Sequence, residues 1–280
     1  MEVGQSNNIV AIIQARMQST RLPGKVLMPM PFTSDISILG QIVNQLKKSK
    51  FNPIIIVATS VNNADDDIAN FCKANQIIAH RGDENDVHSR FFEILKNSEY
   101  NTAIRITGDN PIIDFESLDF VLHNHIESKS DYSYTSDLPV GMNFEVFDVD
   151  AFIRMSALDL SSDDKEHVTL KFKSDNSFSN KIIFINSGIQ DNIRVTIDYP
   201  SDYLMVSLLY DIANQNKIEP GIKLIQFVLK KYPWVLKANE SNFQKKQFTK
   251  ENDEVLYAVN LLDSLDLKKS AQYLSNYAGL

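Results

Sequence analysis

The feature that most restricts the fold is an alternation of short, unbroken apolar runs with amphipathic stretches through roughly the first two thirds of the chain. Residues 9–13 read IVAII and residues 53–59 read PIIIVAT. A strand with one face in water alternates in polarity, whereas a continuous β-branched run suits a strand buried on both faces, as in a parallel sheet. Between these runs Ile38, Leu39, Ile42, Val43 and Leu46 recur at helical spacing, which makes one apolar stripe. The order then repeats. A helix opens on the acids 65–67 and aligns Ile68, Phe71 and Cys72; a strand follows at 76–80. Next come a helix burying Val87, Phe91, Ile94 and Leu95, and a strand at 102–107. Such an order predicts an α/β chain, with a mostly parallel mixed sheet flanked by helices. Beyond residue 131 the runs shorten: 131–135, 143–149, 181–186 and 193–198 read as strands, and 201–213 as a helix. Residues 219–280 are mainly helical and hold the single tryptophan, Trp234. We expect one α/β domain over 7–215 and a helical C-terminal extension over 216–280. The extension's apolar residues need a surface to cover, on the domain or on a partner subunit, so a homodimer is one expectation.

The formal net charge is -8, the opposite of the balance that binds a polyanion, so nucleic acid is not an expected partner. One cysteine, Cys72, excludes an intramolecular disulfide and fits a reducing compartment. The N-terminal apolar run is too short for a signal peptide and lacks a basic flank. No apolar run approaches the roughly 20 residues of a membrane span. The expectation is a cytoplasmic protein with no membrane partner.

Against that acidic background, residues 12–27, IIQARMQSTRLPGKVL, gather Arg16, Arg21 and Lys25 directly after a core strand. In open α/β sheets ligands bind beyond the carboxyl ends of the strands. Arginine offers a planar fork suited to phosphate, and lysine a compact point charge. Gly24 permits close backbone approach, and Ser19 and Thr20 add hydroxyl groups. The loop reads as a grip for a triphosphate, against the plainer alternative of a solvated basic surface. It lacks the spacing of a Walker A loop, so kinase or ATPase chemistry is not indicated.

Two acids follow strand ends. Asp109 stands in RITGDNPIID, after Gly108 and before Pro111; Asp198 stands in RVTIDYPSDY, before Pro200. Two such carboxylates can converge on one cation, and Mg²⁺ takes one or two carboxylates together with phosphates and water. The alternative is that each caps the next helix. Arg105 and Arg194 precede the two acids by four residues and need partners inside their strands. Arg194 reads as structural, and Arg105 remains open between neutralising an acid and touching phosphate. The acids 65–67 read as helix-dipole complements, not as the DxD metal motif of a glycosyltransferase. The five histidines have no zinc spacing, since His123 and His125 would face different ways on a helix.

Taken together, these blocks resemble the SpsF-type cytidylyltransferases, the spore-coat polysaccharide branch of the acylneuraminate and KDO cytidylyltransferases. IIQARMQSTRLPGKVL looks like that family's signature. RITGDNPIID, GMNFEVF, KEHVT and VTIDYPSDYLMV resemble its later motifs, in family order across residues 9 to 206. The resemblance implies a nucleotide-diphosphosugar transferase (GT-A-like) fold. It implies transfer of CMP from CTP to a sugar, here expected to be an acidic surface-glycan sugar, with release of pyrophosphate. By motif position Arg16 and Lys25 hold the triphosphate and, with Asp109, form the catalytic set, while Gln14, Ala15, Ser19, Arg21 and Thr107 complete the nucleotide site. Asp109 and Asp198 bind Mg²⁺, and Glu145 and His167 face the sugar. From the residues alone, Glu145 also reads as a structural acid, and His167 as a helix-cap residue of SSDDKEHVT. Gln18, Asn110 and Lys165 depart from a usual glycine, cysteine and arginine and leave the sugar preference open. The rival readings are a glycosyltransferase of the same fold and a non-catalytic nucleotide-binding protein.

Overall fold

The computed structural model describes residues 8–189, 193–242 and 251–279. The chain divides into two compact units, Met1–Glu240 and Ser241–Leu280. In the first unit strands and helices alternate as the apolar pattern requires: β1 (Ile9–Gln14), α1 (Ile38–Leu46), β2 (Ile54–Ser60), α2 (Asp66–Ala74), β3 (Ile78–Gly82), α3 (Val87–Leu95), β4 (Thr102–Thr107) and α4 (Phe115–Ser128). Then follow β5 (Tyr132–Tyr134), β6 (Glu145–Asp148), α5 (Val149–Ser156), α6 (Ser162–His167), α7 (Leu170–Ser174), β7 (Asn180–Ile182), α8 (Pro200–Asn216) and α9 (Ile222–Lys231). The strands form one seven-stranded sheet in the order β3-β2-β1-β4-β6-β5-β7. β1, β2, β3 and β4 run parallel; β6 is antiparallel to both β4 and β5, and β7 is parallel to β5.

β1 shows why its sequence has no polar alternation. Ile9, Ala11 and Ile13 enter an apolar core with α1, α4 and α8, while Val10 and Ile12 enter a second core with α3, α5 and α7. Both faces are buried, so both registers of the pleat must be apolar. The register of β1 on β4 pairs Gln14 with Thr107, the last residue of each strand. The loops that leave these two strands therefore start side by side.

Two expectations change. Residues 193–198 do not form a ladder strand: one isolated bridge joins Val140 and Arg194. Their partner, 139–142, is a turn, so pairing cannot extend. Gly141 has φ +100°, and a Cβ there would lie 2.5 Å from the Thr196 nitrogen; only glycine lets this turn approach so closely. The domain edge expected at 215/216 falls inside the first unit, because Leu224, Ile225, Val228, Val235 and Leu236 join the same core as β1. Trp234, by contrast, is exposed. In the second unit, α10 (Glu251–Ser264) and α11 (Lys268–Ala278) form a helical hairpin. Among the described residues no helix is long and apolar enough to cross a membrane.

Candidate active site

Three segments meet at the carboxyl edge of the sheet: the loop after β1, the loop after β4, and the extended run 193–199. The first is fixed by its own backbone. Gly24 takes a left-handed conformation (φ 72°), and its N–H donates to the Met17 carbonyl at 2.8 Å. The Met17 N–H donates to Asp65 Oδ1 at 2.7 Å. The other Asp65 oxygen accepts the Ser60 N–H at 3.1 Å and the Ser60 hydroxyl. Asp65 therefore ties the basic loop to the end of β2 rather than merely complementing a helix dipole. Gly108 draws the second loop against the first: its N–H donates to the Gln14 carbonyl at 2.8 Å, and a Cβ would stand 3.0 Å from that oxygen and 3.1 Å from the Ala15 Cβ.

Lys25 is buried where the segments meet. Its Nζ donates to Asp109 Oδ2 at 2.8 Å, Asp198 Oδ1 at 3.0 Å and the Ile197 carbonyl at 2.6 Å. An ammonium has three donors, so Lys25 is fully engaged with protein and pins the two predicted acids to one point. The Ile197 N–H also donates to the Asp109 carbonyl at 2.9 Å. Arg21 reaches Asp198 Oδ1 at 3.2 Å and lies over the Tyr199 ring, 4.7 Å from its centroid. Burial alone would raise the Asp198 carboxyl, but Lys25, Arg194 and Arg21 overcome it and hold it below the usual carboxylate range. Arg16 is exposed, and among the described residues it has no hydrogen bond or ion pair. Ser19 is half-buried at the loop's turn, its N–H on the Met17 carbonyl at 3.1 Å.

Two carboxylates delivered to one cationic point form an all-oxygen donor pair suited to a hard divalent cation. Among the described residues there is no group of three or more His, Cys, Asp or Glu that could hold a metal.

Beside Asp109 opens a cavity of about 330 Å³, lined among others by Arg105, Thr107, Asn110, Tyr134, Glu145 and Lys173. Thr107 Oγ1 and Asn110 Oδ1 are buried there with no hydrogen-bond partner among the described residues. Glu145 is the hub of one wall. It accepts from Arg105, from the Tyr132 hydroxyl, from Thr169 Oγ1 at 3.0 Å and from Lys173 at 3.4 Å. Burial would raise its pKa, but Arg105, Lys173 and Tyr132 hold it at about 2. Arg105 also donates to Gln14 Oε1 at 3.0 Å, linking this wall to the end of β1. It does not pair with Asp109, whereas Arg194 does pair with Asp198, at 2.7 Å.

The structure thus brings Gln14, Ala15, Arg16, Ser19, Arg21, Lys25, Thr107, Asp109 and Asp198 to one edge of the sheet, with Glu145 in the adjoining cavity. His167 ends α6, two residues before Thr169. The cap of that helix is the Ser161–Asp164 box, not the histidine. Asp65, Tyr132, Thr169 and Lys173 were not legible as site residues.

A basic loop, two carboxylates held by cations and an adjoining polar cavity thus lie together at one edge of the sheet. Residues 10–219 match the model of the family described as Cytidylyltransferase, and the chain belongs to that family. It is 34% identical over 226 residues to the spore coat polysaccharide biosynthesis protein SpsF of Bacillus subtilis, covering 78% of this chain and 93% of that one. A 3-deoxy-manno-octulosonate cytidylyltransferase of Fusobacterium nucleatum is 31% identical over 121 residues, 43% of this chain and 47% of that one. The solved structure of a cytidylyltransferase from Leptospira borgpetersenii superposes with a TM-score of 0.75 at 26% identity, covering 86% of this chain and 99% of that one. The fold is the nucleotide-diphosphosugar transferase (GT-A-like) architecture, and the protein is a nucleotidyltransferase.

Proposed function

We propose that the enzyme transfers CMP from CTP to a hydroxyl of an acidic sugar, releasing pyrophosphate, in the cytoplasmic stage of surface polysaccharide synthesis. The observation that carries this reading is the convergence of Asp109 and Asp198 on Lys25, within the basic loop. The likeness to SpsF and to the 3-deoxy-manno-octulosonate enzyme supports the choice of CTP, of an acidic sugar and of polysaccharide synthesis. Asp109 and Asp198 would hold the cation, taken to be Mg²⁺; bound there, it would offset phosphate charge and acidify a ligated hydroxyl. Arg16 and Arg21 receive the triphosphate and balance the charge that grows on the leaving pyrophosphate. Gln14, Ala15, Ser19 and Thr107 shape the nucleotide site, and Glu145 and His167 face the sugar. The hydroxyl oxygen bonds to the α-phosphorus as the bond from that phosphorus to the bridging oxygen of pyrophosphate breaks, and the hydroxyl proton is released to solvent. Positioning and preset charge account for the rate, and no covalent protein intermediate is required. Pyrophosphate release, measured across the four nucleoside triphosphates, a panel of acidic and neutral sugars and a Mg²⁺ series, tests the proposal. Turnover confined to CTP with an acidic sugar supports it; release of a nucleoside diphosphate from a sugar nucleotide would replace it with a glycosyltransferase.

A further inference from the structure

Asp198 is held from behind by a closed, buried network. Its Oδ2 accepts from Arg194 at 2.7 Å. Arg194 Nε also donates to Asp202 Oδ1 at 3.1 Å, and its Nη2 to Asp202 Oδ2 at 3.2 Å. Asp202 Oδ2 in turn accepts the backbone N–H groups of Asp198 and Tyr199, both at 2.9 Å. The ring therefore runs from the Asp198 carboxylate through Arg194 and Asp202 back to the Asp198 main chain. Backbone and side chain of one acid are fixed by the same pair. Asn239 closes the ring from outside: its Nδ2 donates to Asp202 Oδ1 at 2.7 Å and to the Arg194 carbonyl at 3.0 Å. Exposure is 7% for Arg194, 0% for Asp202 and 1% for Asn239. Helix capping explains only part of this. Asp202 accepts the Tyr199 N–H as a third helical residue should, but a cap needs neither a bidentate arginine nor an amide brought from 37 residues away.

We infer that Arg194, Asp202 and Asn239 are positioning residues, which set the direction in which Asp198 presents its carboxylate towards the cation and nucleotide. Asn239 is the informative member. It lies beyond residues 10–219, the span that matches the family, so the segment after α9 acts on the reaction and does not merely cover the core. The inference rests on the proposed role of Asp198 as a cation ligand. Partners that orient a metal ligand typically change metal affinity by about 10- to 100-fold when removed.

The test uses the full chain with Arg194→Lys, which keeps the buried charge but loses the fork, and Asn239→Ala. Two readouts are needed: the Mn²⁺ concentration for half-maximal CTP turnover, and Mn²⁺ binding followed by electron paramagnetic resonance in the presence of CTP without sugar. The expected result is about a tenfold weakening of Mn²⁺ for Arg194→Lys. Asn239→Ala should weaken it severalfold, with the circular dichroism spectrum unchanged and turnover recovering at high Mn²⁺. Unchanged Mn²⁺ binding in both folded variants would overturn the inference. Should Arg194→Lys fail to fold, Asn239→Ala decides alone. Asp198→Asn separates the two layers of the argument. If it leaves Mn²⁺ binding intact, the cation reading itself fails; if it abolishes binding while neither Arg194→Lys nor Asn239→Ala alters it, only the positioning role fails.

Discussion

Lys25 and the two acids it joins carry most of the site's logic at the scale of single residues. The sequence pointed to a cation that grips phosphate; the structure shows an ammonium whose three donors are spent on Asp109, Asp198 and the Ile197 carbonyl. Its removal leaves two partly buried carboxylates facing each other. Lys25→Met is therefore expected to cost about 2–3 kcal/mol, less than the 3–5 kcal/mol of a fully buried broken pair. Mg²⁺ should restore part of the loss, because it fills the same cationic demand. A thermal melt with and without Mg²⁺ checks this: the Mg²⁺-induced rise in Tm should be larger in the variant than in the wild type. Asp109→Asn and Asp198→Asn keep shape and remove one charge each. Each should abolish Mg²⁺-dependent pyrophosphate release, and the double variant should lose little beyond the worse single one, since groups acting as a unit are not additive. Multiplicative losses in that cycle would separate the two acids. Both acids draw notice in the sequence because each follows an apolar run and stands two residues before a proline. Asp65 and Asn239 do not. Their partners lie 48 and 37 residues away, and no local pattern encodes such a contact.

At the scale of elements, the parallel part of the sheet was legible because strands buried on both faces must be apolar throughout. The run 193–198 looked equally strand-like, yet it pairs with a turn, and its ladder ends at one bridge. Whether an extended run becomes a strand is decided by its neighbour, which periodicity does not report. Cys72 reads as a core residue of the second helix; it is fully buried, and burial pushes its thiol up to about 11. The packing of α4 on β5 adds a pH dependence. His125 is buried, with Nδ1 2.9 Å from Ser133 Oγ, and burial followed by the Lys181 charge lowers its pKa from 6.5 to about 4. Between those values the unfolded chain binds a proton that the folded chain does not. This contribution therefore leaves stability intact above pH 6.5 and removes it as pH falls towards 4. The full loss is about 3 kcal/mol. Urea midpoints measured from pH 7 to 4.5 should fall for the wild type, and His125→Asn should flatten the slope; an equal slope in both would place the dependence elsewhere.

For the whole molecule, the question is where the catalytic unit ends. The apolar pattern suggested residue 215, because α8 closes the last clear strand–helix pair. The first compact unit runs to Glu240, for a physical reason. Leu224, Ile225, Val228, Val235 and Leu236 are buried in the core that contains β1. At about 1.5–3 kcal/mol for each buried side chain, they contribute on the order of 10 kcal/mol, comparable to the entire net stability of a typical domain. Asn239 adds its two hydrogen bonds to the Arg194–Asp202 pair. A chain ending at residue 215 should consequently expose the apolar core that these side chains join, bind a hydrophobic dye and aggregate. One ending at residue 240 keeps every hydrogen bond described for the site and should stay folded, with CTP turnover within about twofold of the full chain, a change of less than 0.5 kcal/mol in the barrier. Light scattering and pyrophosphate release on the two truncations decide the point. A soluble, active 1–215 chain would show that α9 and the segment after it are dispensable. An inactive but folded 1–240 chain would show that residues 241–280 supply something to the reaction, and the boundary of the catalytic unit would move again.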